Sequence, residues 1–100
     1  MDHKFKKKPI VIEAVRVDDV IKAARFSWKD LPDWVEAAYE NGDLIFVSDF
    51  IDINTDEGMM TGRSGDWIVK GVEDEIYPVR GSVFDSTYEQ ISVKAEGREE

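Results

Sequence analysis

Lys70, Tyr77, Arg80 and Tyr88 are the side chains of this chain best suited to hold a ligand. Two cations and two phenols on neighbouring predicted strands make a surface for an anionic or planar group, such as a nucleotide. The other reading is that the tyrosines are half-buried sheet residues and the cations keep the sheet soluble. Asp66, just before Trp67, has the position of a catalytic acid. An Asp closing a Gly-Asp turn more commonly bonds its own backbone, and that is the expectation here. His3 is the single histidine and lies in a terminal segment, which argues against a histidine base or triad. The chain has no cysteine, so thiolate catalysis, disulfides and Cys-ligated zinc or iron–sulfur sites are excluded. Carboxylates are plentiful, but nothing in their spacing fixes which two would meet. Gly62-Arg63-Ser64-Gly65 lacks the lysine and the strand–helix setting of a phosphate loop. Asp49, Asp52, Asn54, Asp56 and Glu57 suggest calcium, yet their order misses the EF-hand pattern and fits a solvated hairpin tip. The expectation is a binding surface with no catalytic residue, no metal and no cofactor.

The elements that must position these residues are mostly strands. Pro9 opens the run Ile10–Val17, rich in β-branched residues and apolar on both faces, which predicts an interior strand. Glu13 and Arg16 fall on opposite faces of it. Val20–Phe26 predicts a short helix capped by Asp18 or Asp19. Residues 30–41 predict the main helix, with Asp30 as cap, Pro32 in the first turn and Gly42 as its stop. Leu31, Trp34, Val35 and Ala38 form its buried stripe, and Trp34 reads as a core anchor. Strands follow at Leu44–Val47 and Phe50–Asn54, with a hairpin turn at Thr55–Gly58 and a return through Met59–Thr61. Trp67–Lys70 and Ile76–Arg80 make a second hairpin. Pro78 cannot donate to a ladder, so that strand belongs at an edge or carries a bulge. Ser82–Asp85 reads as one helical turn carrying Phe84 into the core, and Thr87–Val93 as a closing strand.

Size and charge limit the rest. One hundred residues without a linker predict a single domain, with residues 1–8 a basic tail, 9–94 the domain and 95–100 a disordered acidic tail. A hydrophobic fraction of 42% is ordinary for a globular chain, and three Trp and five Phe offer bulk for one core. No apolar run is long enough to span a bilayer and no signal peptide is visible, so a soluble, cytoplasmic protein is expected. The net charge is −9 although Lys4, Lys6, Lys7 and Lys8 crowd the start. An acidic body argues against nucleic-acid binding, which needs a basic face. It suits docking onto a basic face of another protein.

Three stretches carry a resemblance: KFKKKPIVIEAVRV, LPDWVEAAYENGDLIF and SGDWIVKGVEDEIYPVRGSVFDSTYE. Together they resemble a family of small bacteriophage and prophage proteins, whose members read roughly RKKPVVIEA, LPEWV and PGDWIIKGVKGEFYPCKPDIFEKTYE. Ser64 stands where members usually have proline, Asp74 where they have glycine, and Val79-Arg80 replaces a cysteine–lysine pair. The resemblance implies phage origin, a host-cell setting and an accessory role. It transfers no catalytic residue.

The expected fold is α+β: a mostly antiparallel sheet of five or six strands on one main helix, residues 30–41. The expected function is binding, to a host or phage protein or to another copy of itself. A small anionic ligand is the alternative, and a carboxylate-dependent enzyme is the third reading.

Overall fold

In the computed structural model the described residues are 3–5 and 9–91. Strand β1, Glu13–Arg16, runs without a loop into helix α1, Val17–Phe26. A single 3-10 turn, Trp28–Asp30, leads to α2, Asp33–Glu40, and then to β2 (Leu44–Val47), β3 (Phe50–Thr55) and β4 (Gly58–Gly62). Two further strands, β5 (Trp67–Lys70) and β6 (Ile76–Val79), precede α3, Gly81–Thr87. The fold is α+β, but its strands divide into two antiparallel sheets of three, ordered β1-β5-β6 and β2-β3-β4. No helix among the described residues is long and apolar enough to cross a membrane.

The single sheet expected from the sequence is broken between β4 and β6. Gly62 leaves little space there: a Cβ on it would lie 3.4 Å from the Pro78 Cβ. β6 therefore passes beside β4, but Pro78 has no N–H to give a further strand. Its place on an edge strand agrees with the expectation from the sequence.

The N-terminal run also differs from expectation. Only Glu13–Arg16 pairs, and β1 is an edge strand rather than an interior one. β5 ends at Lys70, opposite Glu13, so Ile10–Ile12 have no ladder left to join. Val17 belongs to α1, where Val17, Val20 and Ala23 turn one apolar stripe inward. Asp18 and Asp19 occupy its first turn and Arg25 its last, matching the helix dipole. Arg16, with extended backbone, takes the cap position. With ten residues α1 is longer than α2, so there is no single main helix.

The second helix starts later than residues 30–41 suggest. Pro32 holds extended backbone, ψ 145°, at the cap position, and Asp30 closes the preceding 3-10 turn. Gly42, at φ +82°, ends the helix as expected. The remaining departure lies at the end of the chain. Residues 88–91 form no strand, and the rest of the expected closing strand and the acidic tail lie outside the described residues.

The core is aliphatic. Val17, Val20, Leu31, Val35, Leu44, Ile51, Ile53 and Ile68 are buried between the helices and the sheets. Trp34, Phe46, Val15 and Ile76 pack on it from the rim. Of the aromatic bulk expected at its centre, Trp34 stays at the rim, while Trp28, Phe46, Trp67 and Phe84 sit in two peripheral clusters.

Candidate functional site

The first cluster lies on the outer face of the β1-β5-β6 sheet. Side chains alternate along β5, so Ile68 enters the core while Trp67 and Val69 point the other way. Arg16 stands opposite Trp67 on β1, Val79 opposite it on β6, and Tyr77 opposite Val69. One face thus carries a cation, an indole and a phenol in neighbouring pairs.

Helix α3 completes that face. The chain bends at Gly81, whose backbone lies so close to the Gly65 carbonyl that no Cβ fits between them. This contact lays α3 over β5, and Phe84 stacks on Trp67 with centroids 4.1 Å apart and planes 11° from parallel. Tyr88, just past the helix, packs on Phe84 at 5.0 Å. The Arg16 guanidinium lies 4.7 Å from the Trp67 centroid, in cation–π range. The result is a continuous row: guanidinium, indole, phenyl, phenol. Its rings are half-buried, and Val69 beneath them is fully buried.

Two of the five residues singled out from the sequence come together here. Tyr77 and Tyr88 are neighbours: burial raises the Tyr77 phenol above its usual value, and the nearby Tyr88 phenol and Glu75 push the same way. Asp66 is occupied in its turn. Its carboxylate accepts the Arg63 N–H at 2.9 Å and its carbonyl accepts the Val17 N–H at 3.0 Å. Lys70 and Arg80 stand apart. Lys70 faces Ile76 at one end of the hairpin and pairs with Asp74 at 3.5 Å. Arg80 lies four residues beyond Ile76, roughly 13 Å along the strand, and is exposed at the cap of α3. The two cations therefore do not converge on one anion.

Reading the sequence alone left out Arg16 and Trp67 and sent Phe84 into the core, whereas it lies half-buried on the indole. The alternation of β5 did place Trp67 opposite Ile68. What was missing was the pairing of β1 with β5, which brings Arg16 to the indole from fifty-one residues away.

No protein-family model, curated protein or solved structure matches this chain. Among the described residues no group of three His, Cys, Asp or Glu side chains is placed to hold a metal. The chemistry within reach of the row is cation–π contact, stacking and phenolic hydrogen bonding.

The Tyr77 shift has a direct consequence for stability. A phenol whose folded value lies above its unfolded value binds its proton more tightly in the folded state. The stability this gives is complete below the ordinary value of 10.0 and is lost as pH rises through the folded value. Unfolding followed at increasing alkaline pH should show that decline, and Tyr77→Phe should make it shallower. An identical slope in the variant would mean that Tyr77 ionises as freely as in the unfolded chain.

Proposed function

We propose that this chain is a non-catalytic binding protein, a phage or prophage accessory protein that docks a host or phage protein through the Arg16–Trp67–Phe84–Tyr88 face. The observation that carries this reading is the pre-ordered row of Arg, Trp and Tyr on an outer sheet surface. These residue types dominate the energy of protein interfaces, because each offers large contact area with a polar end. Here they are held by stacking before any partner arrives, which lowers the ordering cost of association. Phage origin and action in the host cytoplasm rest on the resemblance of the three sequence stretches.

The small-ligand alternative draws less support. A planar anion needs an open ring face and converging cations. Trp67 is already stacked by Phe84 and covered by Arg16, and Lys70 is engaged with Asp74.

The test is affinity capture from a bacterial lysate with the wild type and Arg16→Glu, followed by native mass spectrometry. A partner held by the wild type should bind the variant at least about tenfold more weakly, as for a central interface arginine. The melting temperature should stay close to that of the wild type, since Arg16 is exposed on an edge strand. Equal capture by both proteins would remove this face from the interface. A small adduct that denaturation releases would favour the ligand reading.

A further inference from the structure

The second aromatic cluster has a different chemistry and shares no residue with the first. Trp28, Tyr39 and Phe46 touch one another, with centroids 5.2, 6.2 and 5.6 Å apart. Trp28 is 38% exposed and Tyr39 44% exposed. The 3-10 turn supplies Trp28, α2 supplies Tyr39 and β2 supplies Phe46. Lys29 follows Trp28 in that turn, and beyond it the charge is of one sign. Between Asp30 and Gly62 the chain has nine carboxylates and no lysine or arginine. That stretch forms α2 and the whole β2-β3-β4 sheet, and its charge equals the net −9 of the entire chain.

Among the described residues few cations answer this charge. Arg25 reaches in from α1 to Asp49 at 3.3 Å and donates to the Ser48 carbonyl. Arg63 lies over Phe50 instead. Near the cluster, Glu36 accepts the Trp28 indole N–H at 3.3 Å, and Glu36 lies one turn before Tyr39. Glu40 follows Tyr39 directly and is exposed.

We propose that the Trp28–Tyr39–Phe46 cluster and its carboxylates dock a cationic, Arg- or Lys-bearing segment of a partner protein. The aromatic faces attract a cation through their quadrupoles, and Glu36 and Glu40 beside them add to that attraction and steer its approach. The rings lie in contact with each other, so no cage opens between them for a free quaternary ammonium. A side chain from a larger surface rides on the exposed faces of Trp28 and Tyr39 instead. A second copy presenting the same face would be repelled, and nucleic acid would be excluded by its phosphates. This inference stands independently of the Arg16–Trp67 face.

The experiment is calorimetric titration at low salt with a synthetic peptide of alternating Arg and Leu, using the full chain. The wild type should bind. Glu36→Gln with Glu40→Gln, which preserves a hydrogen-bond acceptor for Trp28, should bind about tenfold more weakly, and so should Tyr39→Ala. The control, Glu13→Gln with Glu89→Gln, removes equal charge elsewhere and should bind like the wild type. Equal weakening in both double variants would mean that diffuse charge attracts the peptide, which overturns the proposal. Absence of binding by the wild type overturns it too. Because Glu36, Tyr39 and Glu40 lie on α2, away from the Arg16–Trp67 face, failure here leaves the Arg16 test unaffected.

Discussion

Ile51→Ala is expected to lower the unfolding free energy by about 2–5 kcal/mol. Ile51 is fully buried on β3, the central strand of its sheet, between Phe46 on β2 and Gly62 on β4. β3 also packs against β6 of the other sheet. Removing its three outer carbons opens a cavity where both sheets meet. The surrounding atoms belong to paired strands, which cannot close the gap without breaking ladder hydrogen bonds. The loss should therefore fall toward the upper part of that range. Urea unfolding should show a lower midpoint at an unchanged slope, the mark of lost stability rather than a changed unfolded state. Ile51→Val should cost only about 0.5–1.5 kcal/mol. If alanine costs no more than valine, the two sheets do not share this core.

Gly81→Ala should cost about 1–3 kcal/mol and dislodge α3. The new Cβ would meet the Gly65 carbonyl, a backbone atom held by its turn. Gly65 itself is fixed there, because its N–H donates to Asp18 at 3.0 Å and Asp66 is bonded to Arg63. Neither side can yield, so the helix must move. That movement would separate Phe84 from Trp67 and remove the near-ultraviolet dichroism of the stacked pair. The variant should also lose whatever binds the Arg16–Trp67 face. Intact dichroism with unchanged stability would show that the approach of Gly81 to Gly65 does not hold α3.

These two positions mark what the sequence did and did not reveal. The β3–β4 hairpin was legible because Thr55-Asp56-Glu57-Gly58 has turn chemistry and the flanking strands alternate. The structure pairs Thr55 with Gly58 and puts Gly58 at φ +103°. Pro78 at an edge was legible for a covalent reason, its missing N–H. Gly42 was legible as the stop of α2. Local chemistry decided each of these.

The misread elements depended on distant partners. Val17 is β-branched and follows four strand residues, so its propensity favours extension. Tertiary burial made it the first residue of α1, in line with Val20. Because it was counted in the strand, the helix looked three residues shorter and weaker. The division into two sheets turned on β4 and β6 passing side by side without a ladder, which no local pattern encodes. The same blindness hid the site: Tyr77 and Tyr88 drew notice by type, while Arg16 and Phe84 joined them only through the folded topology. Lys70 and Arg80 looked like a pair because both are cations on neighbouring predicted strands. The register sets them at opposite ends of the hairpin.

The seam at Gly62 and Pro78 gives the molecule a modular character. Across it the sheets meet by contact of side chains and share no ladder, so a shift in one hairpin has no hydrogen bonds through which to drag the other. What crosses the seam is volume: the missing side chain at residue 62 and the ring at residue 78 set how near the halves can come. Substitutions that keep that spacing leave each half free to drift under separate selection. The acidic sheet with α2 and the aromatic sheet with α3 can thus diverge at different speeds.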